Sequence, residues 1–356
     1  MKNNTKEIQS QVIELLRFPL IILVVFVHMI PFERQALSWE LNGANVYRIV
    51  TEVISHHIGR LAVPCFFLFS GYFFFIKITE WNSKVYASQL KKRFHTLLIP
   101  YLLWNILFVP VILFKNLVFQ KINLPLDDNY EKLHSLSVYG ILWGEPLNFP
   151  LWYLRDLIVM VALAPLFYYY FRYTKFIGLI LILVIYLMGL ESTIQGLSST
   201  AILYFGVGAY MGQFKYSLLD FALSYRRIAI VMAIAMLAVT TYYTVSPYYE
   251  YCVRLFTVFG VTAVLYLGYQ CNKWEGLKRI CIRLAPTVFF IYAIHVIYIL
   301  GWLKGGFLKS PLADSPTGML LGYLVIPFLC IGIILLIYRA MHEFFPKTLY
   351  FITGSR

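Results

Sequence analysis

The chain has 356 residues, of which 60% are hydrophobic and only 13% are charged. Soluble domains carry about 25% charged residues, so this composition excludes an ordinary soluble protein and predicts that lipid surrounds most of the chain. The formal net charge is +13, but the basic residues fall between apolar stretches and form no basic face, which argues against nucleic-acid binding.

About ten apolar stretches approach the length of ~20 residues that a helix needs to cross a bilayer. We therefore predict an all-α polytopic membrane protein with about ten transmembrane helices, forming a single integral membrane domain over residues 1–356. The fifth and sixth stretches are short and contain glycine, which is typical of a broken or tilted helix. In chain order, the predicted spans are 15–32, 57–78, 94–119, 150–171, 176–190, 197–214, 226–246, 251–271, 284–303 and 318–341.

Lysine and arginine are distributed unevenly between alternate connections. With the N-terminus inside, 20 of the 30 basic residues lie on the inner side, and 11 of the 17 acidic residues lie outside or in outer helix ends. Because basic residues are retained on the cytoplasmic side, we predict cytoplasmic termini and a multi-pass protein of the inner, cytoplasmic membrane. The polar connections 33–56 and 120–149 are then external, and each is long enough to form a lid or an acceptor-binding surface.

The first span contains two ionisable side chains that are costly in lipid. Arg17 precedes His28 by eleven residues, which corresponds to roughly 16 Å along a helix axis. A hydrogen-bonded core position explains a lone histidine equally well. However, His295 follows Arg283 by twelve residues in the ninth span. It is therefore expected at nearly the same depth as His28, which favours a shared polar site.

The second and fourth spans add further polar candidates. Arg60 lies near the outer end of the second span, whereas Ser70 and Gly71 lie deeper in it. Small residues there are also explained by close packing of helices. The segment LWYLRDL places Trp152 and Arg155 at the outer end of the fourth span. An aromatic belt residue and a local ion pair are the alternative explanation.

The spacings of several familiar sites are absent, namely HExxH, GxSxG, the Walker loop and GxGxxG. The adjacent histidines His56 and His57 are too close in sequence to bind one metal from a helix face. The five cysteines are scattered and odd in number, so they predict neither a disulfide framework nor a metal site. We expect no metal and no resident cofactor.

Taken in order, these segments resemble acyltransferase family 3, integral membrane proteins that acylate polysaccharides, lipid-linked glycans and other acceptors. The resemblance extends from about residue 11 to residue 341. The chain departs from the family at Phe18, where members commonly have glycine after the arginine. The features that carry the resemblance are Arg17 and His28 in the pattern R-x10-H, FFLFSGYFF with Ser70, the cluster Lys91-Lys92-Arg93 before FHTLLIPYLLW, LWYLRDL with Trp152, and FFIYAIHVI with His295.

The resemblance implies an acyl-CoA co-substrate on the cytoplasmic side and an acceptor hydroxyl that reaches the site from outside. The default reaction is acetyl transfer to a glycan or lipid-linked acceptor, as in O-acetylation of cell-envelope polysaccharide. Arg17, Lys91, Lys92 and Arg93 would form an inner basic patch that binds the phosphates of CoA, since cationic side chains form charge-assisted hydrogen bonds with phosphate. Membrane topology alone also explains the basic residues at 91 and 92.

In the implied mechanism, His28 acts as the general base on the acceptor hydroxyl. A transient acyl-imidazole is the alternative. Arg60, Arg155 and His295 are the candidates for stabilising the developing oxyanion. Trp152 would pack against a sugar ring or the acyl group.

Two readings from other classes remain open at the level of sequence. A transporter or flippase for a glycan or lipid-linked precursor would line its path with the same buried histidines and arginines, and the short fifth and sixth spans favour it. An inactive partner in polysaccharide synthesis is the third reading.

Overall fold

A computed structural model of the chain describes residues 2–30, 36–121 and 128–354, so parts of the two predicted external connections lie outside the described residues. Every regular element in the described residues is a helix, which confirms the all-α prediction. The α-helices are α1 Lys2–Val27, α2 Gly43–Thr51, α3 Ala62–Phe75, α4 Ser83–Arg93, α5 Ile99–Lys121, α6 Asp128–Ser135, α7 Trp152–Ala162, α8 Ala164–Leu187, α9 Ser199–Gln213, α10 Leu218–Tyr242, α11 Tyr249–Cys271, α12 Glu275–Leu284, α13 Val288–Ile294, α14 Leu300–Leu308, α15 Pro316–Phe344 and α16 Pro346–Ile352.

Eight helical segments of the described chain are long and apolar enough to cross a membrane. Three predicted spans have no single straight helix of that length. The fourth is divided between α7 and the beginning of α8, the fifth occupies only the part of α8 after its bend at Lys175, and the sixth corresponds to α9, which has only 15 residues. The eight segments are Lys6–Val27, Gly43–Phe75, Ser83–Lys121, Ala164–Leu187, Leu218–Tyr242, Tyr249–Cys271, Glu275–Leu308 and Pro316–Phe344.

Helix α8 bends sharply at Lys175, whose φ and ψ are 49° and −130°. The hydroxyl of Tyr170 donates a hydrogen bond of 2.9 Å to the carbonyl oxygen of Gly178. Eight residues of straight helix would separate these positions by about 12 Å. The chain therefore folds back at Lys175, between the predicted fourth and fifth spans.

Helix α1 ends at Val27, so His28 lies in the turn that follows it and not inside the helix predicted over 15–32. The amide of His28 donates to the carbonyl oxygen of Val25 at 3.2 Å, which is a tighter, 3₁₀-type turn. The sequence supplies a reason, because Pro31 disfavours helical backbone at the residue before it. The imidazole of His28 therefore belongs to the residue that directly follows the end of α1.

Three π-helical turns lie in or next to predicted spans. Glu52–His57 precedes the second span, Phe94–Leu98 begins the third, and His295–Ile299 interrupts the ninth, where regular helix was predicted. The first contains His56 and His57, the second follows Arg93, and the third begins at His295. Short π-helical turns occur frequently at functional sites.

Hydrogen bonds define the two ends of the helix bundle. Ser217 Oγ donates to Gln9 Oε1 at 2.9 Å, and Lys215 Nζ donates to the carbonyl oxygen of Ile78 at 2.7 Å. These contacts join the beginning of α1 to the end of α3. At the other end, Ser55 Oγ donates to the carbonyl oxygen of Phe26 at 2.6 Å. Helices α1 and α3 are therefore antiparallel.

Helices α3 and α9 approach each other closely through glycine. A Cβ on Gly71 would lie 2.2 Å from the carbonyl oxygen of Phe205, and a Cβ on Gly208 would lie 2.2 Å from that of Leu68. The packing explanation considered for Gly71 is confirmed, because only the absence of a side chain permits this separation.

Candidate functional site

A cavity of about 960 Å³ extends between the helices and is lined from α1, α3, α4, α7, α11 and α13, among others. This volume is at the upper end of the usual range for small-molecule sites. Seven of the nine side chains predicted for the site line it. They are Arg17, His28, Arg60, Ser70, Lys92, Arg93 and Trp152.

One end of the cavity, the basic end, is formed by Glu14, Arg17, Lys77, Lys92 and Arg93. Arg17 pairs with Glu14 at 3.2 Å, and both side chains remain partly exposed. The Nε of Arg93 is buried and has no hydrogen-bond partner in the protein. Four basic groups against one carboxylate make this end suited to a polyanionic ligand.

The middle of the cavity is mostly apolar and aromatic. Its wall includes Ile21, Val24, Phe66, Phe69 and Phe73. The predicted residues Ser70 and Trp152 also face this part of the cavity. An apolar passage of this kind accommodates an extended, weakly polar chain between two polar ends.

His28 and His295 lie together beyond this passage. Their ring centroids are 5.1 Å apart, which confirms the prediction that the two side chains share one depth. His28 lines the cavity, whereas His295 is fully buried and is not among the lining residues. Lys304 Nζ donates to the carbonyl oxygen of His28 at 3.3 Å.

The contacts of His295 fix its tautomer when the ring is neutral. Its Nδ1 is 2.9 Å from the carbonyl oxygen of Tyr292 and 3.1 Å from that of Ile291. Carbonyl oxygens only accept hydrogen bonds, so Nδ1 carries the proton and Nε2 presents a lone pair. Nε2 is buried without a hydrogen-bond partner. Neutral His295 could therefore only accept a hydrogen bond at Nε2, which does not fit the donor role predicted for it at an oxyanion.

Arg155 is held away from the cavity. Its guanidinium donates to Asp156 Oδ1 at 2.9 and 3.1 Å and to the carbonyl oxygens of Trp143 and Gly144, both at 2.9 Å. Its side chain is 9% exposed. These bonds attach the segment before α7 to that helix, and Arg155 does not line the cavity. Of the three predicted oxyanion donors, Arg60 is the one that does.

The other end of the cavity, the paired end, contains Arg60, Glu250, Arg254 and Glu191. Arg60 Nη1 lies 3.3 Å from Glu250 Oε2. Arg254 pairs with Glu191 and also donates to Ser199 Oγ at 3.2 Å. Each arginine at this end thus has a carboxylate partner.

Glu191 lies in the connection between α8 and α9. Ser199 donates to it twice, from the amide at 3.1 Å and from the hydroxyl at 2.6 Å. Burial alone raises the pKa of the Glu191 carboxyl, but the hydrogen bonds from Ser199 and Arg254 outweigh it and hold the pKa below its ordinary value. Glu191 is therefore ionised at neutral pH and cancels the charge of Arg254.

A buried acid–imidazole pair near the paired end was not predicted from the sequence. His56 Nδ1 and Glu52 Oε2 are 2.6 Å apart, and the two residues are 2% and 5% exposed. His56 lines the cavity, and His57 Nδ1 bonds to the carbonyl oxygen of Glu52 at 2.9 Å. The available signal is the i, i+4 spacing of Glu52 and His56, whereas the sequence analysis considers His56 only together with His57, as a metal site.

Comparison with known proteins decides the family. The sequence profile of the acyltransferase domain of acyltransferase family 3 matches residues 11–352, which is nearly the whole chain.

The chain belongs to acyltransferase family 3. It is also similar to the succinoglycan biosynthesis protein ExoH of Rhizobium meliloti (strain 1021), with 26% identity over 364 residues that cover 97% of this chain and 92% of that protein. No solved structure shows significant similarity to this chain. Family membership supports membrane acyl transfer as the reaction class of this chain.

Proposed function

We propose that the protein transfers an acyl group, most simply acetyl, from cytoplasmic acyl-CoA to a hydroxyl of a glycan or lipid-linked acceptor on the outer side of the membrane. The observation that carries the proposal is one cavity with a cationic end, an apolar passage and a histidine pair near its opposite end. The similarity to a protein of succinoglycan biosynthesis supports a polysaccharide or its lipid-linked precursor as the acceptor.

The basic end is the proposed site for the phosphates of CoA. Arg17, Lys92 and Arg93 line it, and the buried Nε of Arg93 has an unused donor. Phosphate oxygens are strong acceptors for guanidinium and ammonium groups. The pantetheine arm then lies along the apolar passage and brings the thioester near His28, roughly 16 Å along the helix axis from Arg17.

His28 is the proposed general base. It takes the proton of the acceptor hydroxyl, the hydroxyl oxygen attacks the thioester carbonyl carbon, and the carbon–sulfur bond breaks to release the CoA thiolate. Arg60 is the proposed donor to the oxyanion, and Trp152 the proposed apolar contact for the acyl group or sugar ring. His295 has a proposed positioning role at the site, through the lone pair of its Nε2.

The test uses purified protein in lipid nanodiscs with acetyl-CoA labelled in the acetyl group and the cell's lipid-linked glycan fraction. Label should enter the glycan fraction and be released by mild alkali, which cleaves oxygen esters. Absence of transfer by the wild-type protein contradicts the proposal. The transporter reading predicts instead that the glycan crosses a liposome membrane containing the protein without any acyl-CoA.

A further inference from the structure

The two ends of the cavity differ in how their charges are balanced. Among the lining residues described, the basic end has four basic groups and one carboxylate, whereas the paired end has two arginines and two glutamates. Both ends are polar, yet only the first has an excess of positive charge. An anionic ligand is therefore favoured at the basic end and gains no comparable attraction at the paired end.

The pair formed by Arg254 and Glu191 is built into the fold. Besides Glu191, the guanidinium of Arg254 donates to Ser199 Oγ at 3.2 Å and to the carbonyl oxygen of Tyr186 at 2.6 Å, and its side chain is 11% exposed. Both carboxylate oxygens of Glu191 accept hydrogen bonds from Ser199. This arginine has partners on several sides, so its charge is not offered to a ligand.

The pair formed by Arg60 and Glu250 is more open. Nη1 of Arg60 is 3.3 Å from Glu250 Oε2, and the side chains are 33% and 50% exposed. The guanidinium also lies 5.8 Å from the centre of the Tyr249 ring. This pair presents guanidinium donors and carboxylate acceptors side by side at the cavity wall.

A sugar hydroxyl both donates and accepts hydrogen bonds, so it suits a wall that offers both kinds of group. A ligand carboxylate does not, because it only accepts and is repelled by the glutamate beside the arginine. His56, held by Glu52 at 2.6 Å, adds a further polar group to the same region.

We infer that the paired end binds an uncharged, polyhydroxylated sugar unit of the acceptor and that Glu250 discriminates against anionic sugars. The inference rests on the proposed function, in which the acceptor enters from this end. Specificity of this kind arises as much from repulsion of the wrong ligand as from attraction of the right one.

The experiment measures binding of methyl β-D-glucoside and methyl β-D-glucuronide, which differ by one carboxylate, to the protein in nanodiscs by saturation-transfer NMR. Every sample contains excess inorganic pyrophosphate, which occupies the basic end so that neither sugar is measured there. The wild-type protein should bind the glucoside more tightly. Glu250→Gln should shift the ratio of affinities toward the glucuronide by about fivefold, the size expected for a partly exposed charge pair. Arg60→Gln should shift it in the opposite direction, and added salt should reduce both shifts.

The matched control is Glu14→Gln, which removes the carboxylate partner of Arg17 at the basic end. This variant should leave the ratio of the two sugars unchanged. Tighter binding of the glucuronide by the wild type, binding of neither sugar, or an unchanged ratio in Glu250→Gln would overturn the inference. The assay needs no acyl donor, so sugar binding without acyl transfer would reject the proposed reaction while retaining the sugar site.

Discussion

His28 and His295 differ in what their imidazoles can do, although their rings are 5.1 Å apart. His295 is fully buried, and its Nδ1 is committed to backbone carbonyl oxygens. His28 lines the cavity and is therefore the imidazole that a substrate can reach. The geometry thus favours direct proton transfer by His28 and a positioning role for His295.

We predict that His28→Ala loses most acyl transfer, because a positioned general base typically contributes about 10²–10⁴-fold. Melting temperature should change little if the ring serves the reaction. The measurement is acylation of the glycan fraction together with thermal stability of the purified variant. His295→Ala should retain more activity than His28→Ala.

A suitable control is His134→Ala, since His134 is an exposed histidine on α6 and does not line the cavity. It should behave as wild type. Full activity of His28→Ala would reject the base assignment. Lost activity with a collapsed melting temperature would indicate a structural histidine, because loss of a buried hydrogen-bonding partner costs roughly 1–3 kcal/mol.

Arg93 lies at the basic end of the cavity, the proposed site for the phosphates of acyl-CoA, and allows a test of that assignment. We predict that Arg93→Ala weakens binding of acyl-CoA because a charge-assisted contact with phosphate is lost, which is worth about 1.5–3 kcal/mol or roughly 10- to 150-fold in affinity. Truncated donors that lack the phosphates should be much less sensitive to the substitution. The measurement is the KM for each donor.

Lys91→Ala is the matched control, because Lys91 lies two residues away, is exposed and does not line the cavity. Its KM values should remain close to wild type. An equal response of wild type and Arg93→Ala to all donors would reject the phosphate role.

Some of these residues were predictable from sequence and others were not. The shared depth of His28 and His295 follows from counting residues from the basic flanks, since the helical rise is constant. The tautomer of His295 was not predictable, because it depends on which carbonyl oxygens the ring meets in the folded helix. The same holds for Arg155, whose partners Trp143 and Gly144 lie in a preceding segment.

At the scale of helices, the contact between α3 and α9 holds one wall of the cavity in place. We predict that Gly208→Ala destabilises the protein by about 1–3 kcal/mol, the usual cost of overpacking a close contact. The new Cβ would lie 2.2 Å from the carbonyl oxygen of Leu68, and a backbone atom cannot move aside as a side chain can. The measurement is the melting temperature in detergent.

Gly332→Ala in α15 is the control for the same chemical change. A Cβ there meets no atom within 4 Å, so the substitution should be neutral or stabilising, by up to about 1 kcal/mol from helix propensity. Equal melting temperatures for the two variants would show that α3 and α9 separate without cost.

Hydropathy predicted the existence of the helices better than their ends and interruptions. A window of apolar residues locates a span, but the π-helical turns at Glu52–His57 and His295–Ile299 leave no mark in hydropathy. Both turns contain buried polar side chains, among them His56, His57 and His295. The fold-back at Lys175 was predictable as a gap between two spans, whereas its sharpness was not.

At the scale of the whole molecule, the two chemically different ends of the cavity distinguish one end of the helix bundle from the other. Its basic end lies beside the middle of α1 and the end of α3, and its paired end lies where α1 ends. The predicted placement of basic residues inside and acidic residues outside would make the basic end cytoplasmic. The donor would then come from the compartment that contains acyl-CoA, and the acceptor from the other.

We predict that a cysteine at Glu131 reacts with a membrane-impermeant maleimide in intact cells and that a cysteine at Lys84 does not. Both positions are exposed, on α6 and α4, so accessibility depends on the side of the membrane. The background for both variants is a chain whose five native cysteines are replaced by serine or alanine. After permeabilisation both cysteines should react, which controls for local protection. Labelling at Lys84 alone in intact cells would reverse the orientation and place the basic end outside, away from cytoplasmic acyl-CoA. That result would remove the donor argument even if the cavity and its histidines are otherwise as described, because the charge excess would then face a compartment without the proposed donor.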